Sequence, residues 1–511
     1  MSAKKRYLIS IPEQVRLNAG LSLPDIVAGL PKESLLRGGK AGTQVVALSP
    51  EQAQALAREH AGMLIEEDQD LTLLVPMPGI GFVIEEGHGQ AYAFAVRDAE
   101  SSEPIAGAAV FIKCVNGTYR GDTGADGTAR IAVFESSIEH VIVSPAANYW
   151  SRVIAAPAAG ETSEVTLTRL VPQGARAWGR EWLGLANDYP GAGKGVKIAI
   201  LDSGVAEHPD LAVAGGVNTL DGEDALDFRR DEKGHGTHCA GVIAGRNADN
   251  GIYGVAPEAE IYSVKVFPGG RLSDLVEGIQ WCIDKGMDVI SMSLGMREPS
   301  AVLAMKIAEA ANRGIILVAA AGNDGGALRY PAANEGVIAV AAFGAMQSYP
   351  TDSAHALRVG ELRNDESGLF VANMSNRGPG TAFIAPGVAI VSSVPGGYAA
   401  WDGTSMACPF VAGLAAVVLS AHPKMRTGDA RQLEWVKQTL AAAAIDLSLP
   451  DTIQGAGVPR ADQALAAMAD QRRATEQLSS TRQQDLQRVA PLIADLEGKQ
   501  QEIRDLIAQL G

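Results

Sequence analysis

Cysteine is scarce in this chain, at four residues in 511, and Cys114, Cys239, Cys282 and Cys408 match neither a zinc-ligand spacing nor a dense disulfide framework. Positive charge is also short: 43 Lys and Arg face 59 Asp and Glu, for a net charge of -16. That balance leaves a nucleic-acid partner without electrostatic support and reads as a device for solubility. Long apolar runs are missing where targeting would need them. The opening MSAKKRYLISIPEQ breaks at Pro12 and Glu13, too early for the apolar region of a secretory signal, and no run of transmembrane length is evident downstream. A cytoplasmic location is the default expectation, with unconventional export, or a start site that omits a leader, as the alternative. Aromatics are only 5% whereas glycine reaches 57 residues, a mixture suited to many tight turns and close backbone approaches.

Length and a 47% hydrophobic content exceed what one core uses, so roughly two to four domains are expected. Residues 4–97 read as a small mixed unit. Lys5–Ser10, Thr43–Leu48 and Leu71–Pro76 have strand character, and Ser49 caps a helix over Glu51–His60. Met77–Gly81 marks a turn, and Tyr92–Val96 is strand-like again. Residues 104–170 carry short β-prone runs separated by Gly, Asp, Asn and Pro, the pattern of a small sandwich.

From Lys194 the grammar becomes α/β. KGVKIAILDSG, EIYSVKVF, MDVISMSLG and IILVAAAGN are apolar strands, and HGTHCAGVIAG, LSDLVEGIQWCIDKG and SAVLAMKIAEAANRG are helical, the second with Ser273 as its cap and Gly286 as its stop. The alternation predicts a parallel sheet covered by helices on both faces, with reactive loops outside the carboxyl ends of the strands. The last 55 or so residues are polar, with Val489, Leu496, Ile503 and Leu510 recurring every seven positions and Leu492 and Leu506 at the companion position. Lys499 interrupts this seam and Pro491 starts or kinks a helix, so a helical hairpin, folded back or self-associating, is expected.

Four polar signals stand at successive strand ends. Asp202 closes ILDSG, where a buried carboxylate needs a partner. His235 lies between Gly234 and Gly236 at a helix start, Asn323 ends AAAGN, and Ser405 precedes a strongly helical run. Singly they read as turn residues, a helix cap and a buried histidine. Together they supply a nucleophile, a general base, a group that orients the base and a donor for a developing oxyanion, which is the equipment for acyl transfer.

The segments GVKIAILDSG, GHGTHCAGVIAG, SMSLG, AAAGNDG and GTSMACPFVAG, in that order, resemble the motifs of the subtilisin-like serine proteases (subtilases). The resemblance spans 194–440. It implies a serine endopeptidase with Ser405 as nucleophile, His235 as base, Asp202 orienting it, and the Asn323 amide with the Ser405 backbone N–H as oxyanion hole. It implies that an extended substrate pairs with Ser291–Gly295, with Phe267–Leu272 on its other side. The first specificity pocket is then walled by Ser293, Leu294, Gly295, Ala320, Ala321 and Gly322. Arg329 falls near the base of that pocket: pointing inward it favours an acidic or polar side chain, pointing outward it is a surface arginine. Cys239 and Cys408, close to the motifs, are read as buried thiols within helices and not as nucleophiles.

No cofactor is required for this chemistry. A structural calcium is left open, with Asp210 as the candidate ligand and Ala248 standing where an Asn ligand is common. An insertion of about 20 residues after Ala345 reads as a surface loop or small hairpin, a tolerated addition unless it touches a partner or the substrate rim. The N-terminal segment resembles the inhibitor-like propeptide domain of subtilases, and the β-rich segment resembles transthyretin-like or carboxypeptidase-regulatory-like modules. The expected division is therefore 1–98 as a propeptide or inhibitor-like α+β domain, 99–171 as a β-sandwich, 172–455 as the subtilisin-like catalytic domain and 456–511 as a helical or coiled-coil-like tail. Partners are a protein or peptide substrate and the chain's own N-terminal domain. Processing is expected near Met77–Phe82 or in the 171–193 linker, after the N-terminal domain's exit strand has crossed the intervening module. A peptide ligase or macrocyclase using the insertion to exclude water, and an inactive subtilase-fold binding protein, are the competing readings.

Overall fold

The strands that the sequence writes as near-continuous apolar runs are the ones buried on both faces. Lys197–Asp202, Glu260–Lys265, Val289–Met292, Ile316–Ala320 and Val337–Ala345 lie side by side in parallel, in a nine-stranded sheet with Val213–Asn218 at one edge and Thr381–Pro386 also joined to Val337–Ala345. Such a sheet needs cover on both sides. One side is covered by Leu272–Lys285 and Ala301–Asn312. The first of these buries Leu272, Leu275, Val276, Ile279, Cys282 and Ile283 at helical spacing and stops at Gly286, whose φ of 61° suits a residue without Cβ. His235–Ala244 and Thr404–Ala421 pack on each other and on the sheet. Thr404–Ala421 is long and apolar enough by composition to cross a membrane, but 89% of it is buried inside the protein, so its apolarity belongs to the core.

The structure is a computed structural model that describes residues 3–39, 42–74, 83–84, 89–158, 160–174, 176–185 and 189–510. At the start of the chain, four antiparallel strands in the order Leu35–Gly38, Thr43–Leu48, Lys5–Ser10, Leu64–Glu67 carry the helix Pro50–Glu59, opened by a reciprocal Ser49–Gln52 capping box. Leu8 and Val45 join the cluster formed by Leu272–Lys285 and Ala301–Asn312, so this small domain sits directly on the catalytic body and does not reach it across the β module. The predicted processing stretch Met77–Phe82 lies outside the described residues.

Two sheets, ordered Thr128–Val133, Gln90–Asp98, Thr162–Leu167 and Arg152–Ile154, Ile138–Ser144, Ala109–Cys114, Thr118–Asp122, Val83–Ile84, enclose Phe94, Val110, Ile112, Val141 and Val165. A boundary at 98–99 cuts at the end of Gln90–Asp98. That strand pairs with Thr128–Val133 and Thr162–Leu167 and belongs to the sandwich.

The insertion forms the hairpin Val359–Asn364 and Leu369–Ala372, which extends the main sheet antiparallel. It also docks the sandwich. Val153 N donates to the Asp352 carbonyl at 2.7 Å, Ala354 N donates to Ser151 Oγ at 3.2 Å, and Ala354 packs on Phe111 and Ile142. The insertion therefore covers an edge strand that would otherwise expose unpaired backbone, and is not a merely tolerated loop.

At the other end, Val458–Pro459 pairs with Ala444–Ile445, so the boundary expected at 456 falls within the catalytic body; the chain divides at Ala461/Asp462. Ala461–Leu510 is one helix that runs through Pro491, in place of the expected hairpin. A hairpin needs a turn, and Gly498 is the only glycine in this stretch. Val489, Leu492, Leu496 and Ile503 of the seam are exposed.

Candidate active site

Asp202 ends its strand and His235 opens its helix, and the two meet: His235 Nδ1 lies 2.8 Å and 2.9 Å from the two Asp202 oxygens. Gly236 allows this approach, because a Cβ there would come within 2.1 Å of the Gly204 carbonyl oxygen. Both side chains are fully buried. Burial pushes the imidazole towards its neutral form, but the Asp202 charge, their hydrogen bond and Asp231 outweigh it, and the pKa of His235 is raised. His235 Nε2 has no hydrogen-bond partner among the described residues.

Two residues behind Asp202 were not singled out from sequence. Ser203 donates its backbone N–H to Asp202 Oδ1 at 2.7 Å, and its hydroxyl donates to Asp231 at 2.8 Å. Asp231 in turn accepts from Gly234 N, Thr237 N and Thr237 Oγ1, which ties the Asp202 strand to the first turn of the His235 helix. Burial raises the pKa of Asp231 against these hydrogen bonds. Its signal was an acidic residue four positions before His235, indistinguishable in sequence from surface charge.

Ser405 occupies the first turn of Thr404–Ala421. Pro409 lies in that helix and has no N–H to give the Ser405 carbonyl four residues back. The freed carbonyl accepts from Ser293 Oγ at 2.9 Å and Cys239 Sγ at 3.5 Å. Ser293 thus anchors the Ser405 turn and does not present its side chain as a pocket wall. Gly403 has a φ of 155°, and a Cβ there would meet Asn323 Nδ2 at 3.1 Å. Asn323 Oδ1 accepts from Thr404 N and Oγ1, both at 2.9 Å, which orients the amide so that Nδ2 faces the cleft as a donor. Thr404 is a further residue that the sequence motif contained and its pattern did not explain.

What fills the cleft is the chain itself. Thr72–Leu73 pairs antiparallel with Leu294–Gly295, and on the other side Leu71 N donates to the Gly270 carbonyl while Leu272 N donates to that of Gln69. The Leu74 carbonyl accepts from Ser405 Oγ at 3.0 Å and Asn323 Nδ2 at 3.1 Å. Beside Leu74 a cavity of about 270 Å³ is lined by Gly295, Met296, Asn323, Asp324 and Arg329. Ala320 and Ala321 are fully buried behind it, and at Gly322 a Cβ would come within 2.8 Å of Arg329 Cγ. Arg329 points inward, with 18% of its side chain exposed, but its guanidinium bonds the Asp324 carboxylate. Its charge is therefore compensated at the pocket, and the expected preference for acidic side chains loses its electrostatic basis. No residue of the 346–369 insertion lines this cavity; the insertion instead extends the main sheet and meets the sandwich.

The thiols fit their expected role. Cys239 and Cys408 are buried, and burial pushes Cys239 well up and Cys408 up to about 11. Among the described residues, the only cluster of metal-type ligands is Asp202, His235 and Cys239, where the first two are already paired and the thiol is protonated. Asp210 is not poised for calcium. Its oxygens accept from Ala248 N at 2.6 Å, Ile252 N at 3.0 Å and Tyr398 Oη at 2.8 Å, donors that a cation would have to displace.

Residues 193–463 match the model of the subtilase family, peptidase S8. The chain is 38% identical over 279 residues to the thermostable alkaline protease of Halalkalibacterium halodurans, covering 53% of this chain and 69% of that protein. It is 40% identical over 235 residues to subtilisin BL of Lederbergia lenta, covering 45% and 78%, and 39% identical over 244 residues to subtilisin E of Bacillus subtilis, covering 47% and 59%. With this match lying over the parallel sheet and its Asp202, His235, Asn323 and Ser405 loops, the chain belongs to the subtilase family and is a subtilisin-like serine endopeptidase.

Proposed function

We propose that Ser405 attacks the peptide carbonyl of an extended substrate while His235 Nε2 takes its proton, later returning it to the departing amine; Asp202 holds the imidazole in the required tautomer and stabilises its charged form. The tetrahedral oxygen is held by Asn323 Nδ2 and the Ser405 backbone N–H, and water then releases the acyl enzyme. The observation that carries this reading is the Leu74 carbonyl, which accepts from both Asn323 Nδ2 and Ser405 Oγ.

The chain acts first on itself. Residues 3–74 form an inhibitory domain whose exit strand occupies the cleft as a substrate would, and cleavage follows Leu74 in place of the two stretches expected from sequence. Supporting this, the domain holds the catalytic body by capping two of its helices. Asp68 accepts from Ser273 N and Oγ, and Glu66 from Ala301 N and Ser300 Oγ, where carboxylates complement orphan N–H groups and the positive helix end. Arg271, and not Ser273, is the N-cap residue of the helix that begins at Leu272, and Asp68 supplies the acceptor for Ser273 N. Arg37 pairs with Asp274 and Glu277 in the same helix.

Purified wild-type and Ser405→Ala protein, incubated in parallel and analysed by intact mass and N-terminal mapping, test both statements. The wild type is expected to yield a new N-terminus at Val75 and the variant to remain full length. Identical fragments from both would overturn self-processing.

A further inference from the structure

The β-sandwich is joined to the segment that leads into the nucleophile turn by two separate routes. On the first, Asn148 of the sandwich grips the hairpin Ile390–Val394 and Gly397–Trp401. Its backbone N–H donates to the Tyr398 carbonyl at 2.7 Å, its Oδ1 accepts from Tyr398 N at 3.0 Å, and its Nδ2 donates to the Gly396 carbonyl at 3.2 Å. That hairpin ends in Trp401, whose ring lies stacked 4.7 Å from His238 and 6.3 Å from His235.

The second route passes through the insertion. His355 Nδ1 donates to Asp402 Oδ1 at 2.6 Å and Arg358 Nε donates to Asp402 Oδ2 at 3.0 Å, and Oδ1 also accepts from Ala389 N at 2.8 Å. All three side chains are buried, so the carboxylate needs these partners to be tolerated. The far side of the His355 ring meets Trp150 of the sandwich edge to face at 5.7 Å, and its Nε2 has no hydrogen-bond partner among the described residues. The ring is therefore oriented by Asp402 on one side and by the sandwich on the other. Asp402 is followed by Gly403, Thr404 and Ser405, and Thr404 is the residue that fixes the Asn323 amide.

We propose that the sandwich and the insertion form one buttress that sets the geometry of Ser405 and Asn323, with Asp402, His355 and Arg358 as positioning residues and Asn148 as the sandwich's own grip. The sandwich thus works as a built-in activating module that remains with the catalytic domain after cleavage at Leu74, since every contact named lies downstream of that bond. The proposal goes beyond the proteolytic reading and rests on Ser405 being its nucleophile.

The test compares mature Arg358→Met and Asn148→Ala with wild type on a peptide amide carrying leucine in the first pocket. Active sites are counted by titration, and the rate at which a fluorophosphonate labels Ser405 is measured separately. A misplaced nucleophile lowers kcat more than it weakens substrate pairing. The expected result for each variant is a fall of about tenfold in kcat per titrated site, KM within about twofold, and a parallel fall in labelling rate. Unchanged kcat per titrated site and unchanged labelling, with only a lower melting temperature, would overturn the proposal in favour of plain stabilisation. If Arg358→Met does not fold, Arg358→Lys, which keeps the charge but loses the fork geometry, is read by the same criteria. A wild type that does not label at all would refute the nucleophile and not the buttress.

Discussion

The Leu74 carbonyl oxygen lies 3.0 Å from Ser405 Oγ, although 331 positions separate the two residues in the chain. The contact joins the last described residue before Val75 to the first turn of the buried helix Thr404–Ala421. It holds the Ser405 hydroxyl against a carbonyl oxygen and not against His235, which is the arrangement of an occupied site.

Replacement of Asn323 by alanine removes the side-chain donor to that oxygen and leaves the Thr404 backbone N–H without its acceptor. The expected loss in kcat is about 10²- to 10³-fold with KM little changed, a magnitude taken from the corresponding amide of subtilisin and not from this structure. Steady-state kinetics of the mature variant check it, and a loss confined to KM would contradict the assignment.

His235 must be neutral to accept the Ser405 proton, and its environment raises its pKa above the ordinary histidine value of about 6.5. Activity should therefore rise with pH on a limb centred above that value. In Asp202→Asn the limb should shift down and kcat should fall by about 10⁴-fold, because the charge that raises the pKa and fixes the tautomer is gone. A pH profile of kcat/KM for each protein is the measurement.

At the first pocket, Asp324→Asn uncovers the Arg329 charge. Preference should then move towards Glu and Asp by roughly 1 kcal/mol or more, while Arg329→Ala enlarges the pocket for bulkier apolar side chains. A peptide library varied at the residue before the cleaved bond reads both. An Asp324→Asn profile identical to wild type would show that Arg329 does not face the substrate.

Burial raises Asp274 to about 6 despite its hydrogen bond from Arg271 and the Arg37 charge. Arg37 comes from the N-terminal domain, and a release of that domain that exposes Asp274 to water would lower its pKa towards the ordinary carboxylate value of about 3.9. The bound state then holds more protons between those two values. Binding gains from this group as pH falls from about 6 towards 4, and the gain is absent above about 7. Titration of inhibition against pH should show this slope in wild type and lose it in Asp274→Asn. Asp68→Ala should weaken inhibition by about 1–2 kcal/mol by removing the acceptor of Ser273 N and Oγ at the helix start.

Because the Asp210 oxygens already accept from Ala248 N, Ile252 N and Tyr398 Oη, they offer a cation no open position, and chelation with EDTA is expected to leave the melting temperature unchanged to within about 1 °C, as linkage requires where no ion is bound at this site. A drop that calcium restores would establish a cation site. Tyr398→Phe, which removes one donor from Asp210, should lower stability by about 1 kcal/mol.

Much of the site was legible in the sequence because the chemistry sits in short segments with little freedom. Asp202 had to end an apolar strand, His235 needed glycines around it, and Ser405 stood before an apolar helix. Local spacing therefore exposed Asp202, His235, Asn323 and Ser405 as one constellation, and the fold brings them to one cleft. The sheet was legible for the same reason, since strands buried on both faces are apolar throughout. Family, parallel sheet and reaction type follow from these local patterns. Contacts made only on folding settle the rest: that Leu74 fills the cleft, that Asp324 compensates Arg329, that Asp231 and Thr404 brace the site, and that the insertion carries the sandwich to Asp402. Each of these is a contact between residues far apart in the chain or inside a loop, where polar side chains follow no period. Burial and partner choice, which no local pattern encodes, fix what such groups do.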